Sequence, residues 1–295
     1  MTGHAMIDLP VELVQEIVLA LATPPYPLQY GHAPQVKHAL CQLALVNRFL
    51  SSLATPHLYA SVVIASTHEL RAFLSTSPLL RGHSTSLWLR SFPGMFPLIA
   101  DLLYDLGPHL RRLALDIPEN ELGPVRDALR LCIHLEDFTR SGYSPMQIVQ
   151  PRSFWPSWTS LRRLVLDGPL VDDSFIHSVA KLPNLAHLAL IEPRWRYSVD
   201  GTEIATFLSL LDAGVSLQRI LLIYCDGTEF YMNSLRRLRT TVKLRGLQPG
   251  LNILYMVIRE REPNAPMTRI RSQIGDGTLW DLHSRNLLGA PMGLW

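Results

Sequence analysis

Eleven histidines and three cysteines are the side chains of this chain best suited to nucleophilic, acid–base or metal chemistry. Their spacing does not assemble them. No His-Glu-x-x-His places two zinc ligands on one helix face, and no Gly-x-Ser-x-Gly elbow presents a serine. No glycine loop of the P-loop or Gly-x-Gly-x-x-Gly kind cradles a phosphate. Gly275-Asp276-Gly277 comes nearest, but it follows no strand pattern and opens no helix pattern. His32, His38, His57, His83, His109, His134, His177 and His187 read as surface or helix-end residues. Cys41, Cys132 and Cys225 stand about 90 residues apart with no Cys-x-x-Cys pair, as reduced thiols would, rather than a disulfide framework or a zinc site. The expectation is a chain that is not an enzyme, with no metal and no cofactor. What remains is the chemistry of recognition: Arg112, Asp116, Arg163, Asp167, His187 and Arg219 recur at matching places of a repeated phrase, where they can donate and accept hydrogen bonds to a protein surface.

The phrase that must position them is Leu-x-x-Leu-x-Leu. It is clean at Leu110/Leu113/Leu115, Leu161/Leu164/Leu166 and Leu185/Leu188/Leu190. Weaker copies stand at Ser84/Leu87/Leu89, Leu135/Phe138, Leu217/Ile220/Leu222 and Leu251/Leu254/Met256. The starts at 84, 110, 135, 161, 185, 217 and 251 are 26, 25, 26, 24, 32 and 34 residues apart. Leucine-rich repeats run about 20 to 29 residues each, so the array is regular until its last two members. Helical patterns follow several copies, at Leu98 to Leu106, Val125 to Cys132, Ser174 to Leu182, Ile204 to Leu211 and Phe230 to Leu238. The twin strings Asp200-Gly201-Thr202-Glu203 and Asp226-Gly227-Thr228-Glu229 read as helix initiators.

One repeat cannot bury its apolar side alone, so neighbours stack, pair their strands in parallel and align their leucines. Side chains alternate along a strand. With the leucines inward, three columns are expected to be exposed on the concave sheet: Arg112, Asp137, Arg163, His187 and Arg219; Ala114, Thr139, Val165, Ala189 and Leu221; and Asp116, Ser141, Asp167, Ile191 and Ile223. The mixture of arginines, a small apolar centre and a side that turns apolar late in the array suits a protein or peptide partner.

In front of the array lies a helical head. Asp8 and Pro10 are suited to open a helix whose apolar positions Leu9, Leu13, Ile17 and Leu21, flanked by Val14 and Val18, form one stripe; Thr23-Pro24-Pro25 ends it. After a loop to Pro34, helical spacing resumes from Lys37 to about Leu53, with a break near Val46-Asn47, and Thr55-Pro56 closes the unit. Tyr59 to Ala65 reads as a short strand, and Ser66 with Glu69 forms a capping box for the next helix. The stretch from Tyr143 to Trp158, rich in proline and tryptophan, is expected to pack irregularly over the convex side. Beyond Glu260 the period fades into a tail, leaving open whether Trp280 and Trp295 dock. The expected architecture is α/β: a small helical module over 1–65, an irregular leucine-rich repeat solenoid over 66–260 with parallel strands on the concave face and helices outside, and a tail or last irregular repeat over 261–295.

Composition narrows the partners. A formal net charge of +2 makes no field that would recruit nucleic acid or an anionic membrane. The longest apolar runs, Ile17 to Ala22 and Ile220 to Tyr224, are far short of the roughly 18 residues of a membrane span. The first residues lack a basic region, and Asp8, Glu12 and Glu16 interrupt the apolar segment a signal peptide needs, so the cytoplasm or nucleus is the expected compartment.

Three stretches of the head, Leu9-Pro10-Val11-Glu12-Leu13-Val14-x-x-Ile17, Leu43-Ala44-Leu45-Val46-Asn47-Arg48-Phe49 and Pro56-His57-Leu58-Tyr59, resemble the divergent F-box of fungal proteins that carry leucine-rich repeats behind it. The resemblance covers about Ile7 to Ile64. It departs from the family pattern in Phe49, where tryptophan is usual, and in the long link from Thr23 to Gln35. It implies a three-helix module docked on the Skp-type linker protein of a cullin-RING ubiquitin ligase, with the repeats holding a protein substrate for ubiquitin transfer by other subunits. Leu9, Pro10, Leu13, Ile17, Val46 and Phe49 would then lie on or beneath the linker-binding surface. The alternative is a scaffold with no link to a ligase, whose head only caps the solenoid.

Overall fold

The computed structural model describes residues 10–23, 30–90, 96–116, 123–141, 157–195, 216–224, 252–257, 270, 272–274, 276, 278–281 and 285–286. The head is three helices. Helix α1 (Val11–Ala22) begins after Pro10 and turns Val18 and Ala22 inward. They meet Leu40 of α2 (Pro34–Val46) and Ala54 of α3 (Arg48–Ala60) in a small core of their own, with Leu43, Leu53 and Leu58 packed against it. The break between α2 and α3 falls at Asn47, where the pattern places it: the Asn47 side chain accepts a hydrogen bond from the Leu50 N–H at 2.8 Å, capping α3. The expected stop at Thr55-Pro56 does not occur. Helix α3 runs through Pro56 to Ala60; the missing N–H is tolerated because Leu53 and Leu58, on either side of it, are held by the head core.

From Ser61 the chain becomes a ladder. Strand β1 (Ser61–Ile64) is followed by α4 (Thr67–Ser75) and α5 (Pro78–Arg81). Then come β2 (Ser86–Arg90), α6 (Phe96–Leu106), β3 (Arg112–Asp116), α7 (Gly123–Leu129), β4 (Asp137–Ser141), β5 (Arg163–Asp167), β6 (Leu170–Val171), α8 (Asp173–Val179), β7 (His187–Ile191), β8 (Arg194–Trp195), β9 (Arg219–Tyr224), β10 (Asn252–Val257) and β11 (Arg285–Asn286). The main sheet runs β1-β2-β3-β4-β5-β7-β9-β10-β11, parallel throughout except for the antiparallel last pair, and β6 pairs with β8 beside it. Strand β1, which the sequence pattern assigned to the head, is the ladder's first strand. The capping box forms: the Glu69 N–H donates to Ser66 Oγ at 3.2 Å, and the Glu69 carboxylate accepts from the Ala65 N–H at 2.6 Å.

The phrase explains the ladder. In each clean copy the second and third leucines occupy alternate strand positions, so Leu113 and Leu115, Leu164 and Leu166, and Leu188 and Leu190 enter one apolar layer shared with the helices outside. Strands β3, β4, β5, β7 and β9 enter by the same device: one carbonyl of the preceding repeat accepts two successive N–H groups. Thr85 receives Arg111 and Arg112, Arg111 receives Glu136 and Asp137, Glu136 receives Arg162 and Arg163, Arg162 receives Ala186 and His187, and Ala186 receives Gln218 and Arg219. Variable repeat length therefore leaves the strand phase unchanged. After β5 and β7 the chain turns through left-handed backbone at Gly168 (φ 62°) and Glu192 (φ 49°) before Pro169 and Pro193.

Trp158 lies where the irregular stretch was expected to meet the convex side. Its ring is fully buried 4.7 Å from Phe138, and its indole N–H donates to the Leu129 carbonyl at 3.0 Å. Arg140 breaks the pattern on β4, buried at a register position that is leucine on both neighbouring strands. The helical patterns at 204–211 and 230–238, the two Asp-Gly-Thr-Glu strings, Leu9 and Trp295 lie outside the described residues. The described architecture is a leucine-rich-repeat-like α/β ladder with a helical head, and none of its described helices is long and apolar enough to cross a membrane.

Candidate functional site

The concave columns are aligned as the phrase dictates. Arg112, Asp137, Arg163, His187 and Arg219 stand side by side across five strands, and the columns through Ala114 and Asp116 follow in the same register. Their exposure differs from the expectation. Ala114, Thr139, Val165, Ala189 and Leu221 are buried, and so are Asp116, Ser141, Asp167, Ile191 and Ile223. The cause is a second apolar layer on this face, built by residues remote in sequence: Tyr30 from the link between α1 and α2, and Ile270, Ile274 and Leu279 from the C-terminal segment, with Trp280 packed beside them. A parallel sheet is ordinarily covered on both faces, and here the chain supplies both covers.

Tyr30 covers the early strands. Its ring lies 5.8 Å from that of Trp88, the Arg112 guanidinium sits 5.7 Å from the ring centre, and its hydroxyl bonds with the Thr139 side chain. Burial, and then the Asp137 carboxylate, push its phenol above the ordinary range, against the nearby Arg112 and Arg163 charges. It remains a neutral donor. The C-terminal segment covers the late strands. Residues 272–274 are helical and Leu279–Asp281 form a 3-10 turn. The Trp280 carbonyl accepts from Arg219 Nη1 at 2.5 Å, and the Trp280 ring lies 5.2 Å from the His187 imidazole.

The predicted recognition residues are engaged within the chain: Asp116 and Asp167 are buried, Arg112 lies by the Tyr30 ring and His187 by the Trp280 ring. Arg219 holds Trp280, and Arg163 forks onto Asp137, its Nε donating to Oδ1 and its Nη2 to Oδ2 at 2.9 Å. His187 is half-buried, and among the described residues its Nδ1 has no hydrogen-bond partner. Burial first, then the Arg163 and Arg219 guanidinium charges, lower its pKa below the ordinary 6.5, with Asp137 opposing. Between Tyr30 and Trp280 a cleft of about 30 Å³ remains, lined in part by Asp137, Thr139, Arg163 and Val165; it has room for about one water. Tyr30 and the residues of 270–281 were absent from the predicted site. A signal for them existed in β9, where Ile220-Leu221-Leu222-Ile223-Tyr224 is apolar at every position, as a strand buried on both faces would be.

The head presents the opposite arrangement. Leu13 and Ile17 are 46% and 48% exposed, Val46 66% and Phe49 41%, and Pro10 is exposed beside them in sequence. Val11, Leu19 and Leu45 add further exposed apolar surface on α1 and α2. The inward stripe of α1 is Val18 and Ala22; Leu13 and Ile17, expected on the same stripe as Val18, stand outside it. A third feature is a pocket of about 300 Å³ where the head meets β1, lined by His32, Lys37, Cys41, Tyr59, Val62 and Phe73 among others. His32 Nε2 hydrogen-bonds with the His57 carbonyl at 2.8 Å, so this ring is fixed at the pocket's rim. Among the described residues no group of three or more His, Cys, Asp or Glu is placed to hold a metal ion.

No protein-family model matches the chain, and no curated protein does. Among solved structures it is similar to the crystal structure of internalin C2 from Listeria monocytogenes, at 14% identity, with 70% of this chain and 96% of that one covered and a TM-score of 0.35.

Proposed function

We propose that the chain is a substrate-recognition adaptor of a Skp-cullin-F-box type ubiquitin ligase, its helical head docking on a Skp-type linker and its repeat ladder holding a protein. The reading rests on one observation above all: every described residue assigned to the linker-binding surface, Pro10, Leu13, Ile17, Val46 and Phe49, is exposed, although most are large and apolar, while Leu43 and Leu58 of the same motif pack on the head core. A helix pays for such exposure in solubility unless another surface covers it, and clustered apolar surface of this kind marks protein interfaces. The head also has a core that does not need these side chains, namely Val18, Ala22, Leu40 and Ala54. A three-helix core that leaves these apolar side chains outside it suits a docking module better than a cap, which would turn its leucines onto the ladder.

Co-purification of the full chain with a Skp-type linker tests the reading. Wild type is expected to retain the linker, and Leu13→Asp with Ile17→Asp to release it while leaving the thermal transition in place, because neither side chain belongs to the head core. A wild-type chain that retains no linker leaves the scaffold reading, in which the ladder binds a protein and the head serves as a cap.

A further inference from the structure

We infer that the concave face is a peptide groove already occupied by the chain's own Ile270, Ile274, Leu279 and Trp280, and that its partner is a short protein segment with the same chemistry: aliphatic side chains spaced before an indole, with a main-chain carbonyl beside it. The inference rests on the recognition role proposed for the ladder and adds to it the kind of ligand and how access is controlled.

The occupant sits in the groove as a bound peptide would. Ile270, Ile274 and Leu279 fill the apolar columns of Val165, Ala189, Leu221, Ile191 and Ile223. Trp280 lies at the polar edge, its ring against His187 and its carbonyl on the Arg219 guanidinium. Aromatic anchors seated beside arginine are the usual centres of protein interfaces. The fit leaves two polar atoms unsatisfied by the described residues. Among the described residues Gln273 Oε1 of the segment and His187 Nδ1 of the groove are both buried and lack a hydrogen-bond partner, and a cleft lies beside Trp280 and the Asp137–Arg163 pair. Buried polar groups without partners weaken the covered state, so a ligand that satisfied them would displace the segment.

A fluorescently labelled peptide of residues 270–281 is the probe, titrated by anisotropy into the full-length chain. Wild type is expected to show no saturable binding, because the groove is filled. Full-length Trp280→Ala, and the same chain with Ile274→Asp added, should bind the peptide saturably, and Arg219→Ala in that background should abolish that binding. Equal binding by wild type and variants would overturn the proposal. So would loss of the cooperative thermal transition in Trp280→Ala, which would make the segment an integral part of the core. The readout involves no linker, so failure here is separate from failure of the ligase reading.

Discussion

Single residues on the two faces of the ladder behave according to how water reaches them. Cys132 is buried in the turn that follows α7, and burial pushes its thiol up to about 12, so almost no thiolate exists at neutral pH; thiolate is the reacting form. Cys41 stands half-exposed on α2. Maleimide labelling of the native chain followed by mass spectrometry should modify Cys41 and leave Cys132 intact until denaturant is added. His187 adds a pH dependence of definite sign. Its folded pKa lies below the 6.5 of an unfolded chain, so as pH falls through 6.5 the unfolded state takes up a proton that the folded state resists, and stability declines. Arg163, Arg219 and Asp137 face the ring from the sheet and Trp280 from the cover. His57, lowered by burial and by His32, contributes in the same direction. Thermal melts from pH 7 to pH 5 should therefore show a falling midpoint, and His187→Gln should flatten part of that slope. A slope unchanged in the variant would remove His187 from the explanation.

At the scale of elements, the strands were legible in the sequence and their covers were not. Strand positions follow from a local period: two leucines at alternate positions, a recurring spacing, and neighbours that must pair to bury them. Leu113 and Leu188 could be placed inward and Arg112 and His187 outward from a dozen residues of context. The break at Asn47 and the capping box at Ser66 were legible for the same reason, since a cap acts within one turn. Tyr30 and Trp280 carry no such period. They reach the groove from about 60 residues before its first column and about 60 after its last, and only the closure of the tertiary fold brings them there. The apolar character of Ile191, Leu221 and Ile223 was visible, and it pointed to a covered surface without identifying what covers it. Helix α3 running through Pro56 is a similar case, in which packing outweighed a local rule. The turns after β5 and β7 allow a check at this scale. Gly168 has left-handed φ, and nothing stands within 4 Å of where a Cβ would be. Gly168→Ala should thus cost about 1 kcal/mol from backbone strain alone, read as a lower denaturation midpoint with an unchanged m-value. A cost near zero would mean that the turn relaxes.

The whole molecule divides its apolar surface unevenly. The ladder seals both faces of its sheet, one with helices and one with Tyr30 and the C-terminal segment, while the head leaves Leu13, Ile17, Val46 and Phe49 open. Because Tyr30 belongs to the link between α1 and α2 yet packs on Trp88, the head is joined to the concave face by more than its last helix. Removing the head therefore uncovers the early strands, and loss of stability on such a deletion does not by itself separate a docking module from a cap. The separating quantity is affinity for a linker. In isothermal titration of the full-length chain with a purified Skp-type linker, saturable one-to-one binding is expected, with a negative heat-capacity change from apolar burial. Leu13→Asp with Ile17→Asp should weaken it at least a hundred-fold while the thermal midpoint stays within a few degrees of wild type. Absence of heat in the wild type, or equal binding by the folded variant, would contradict the account.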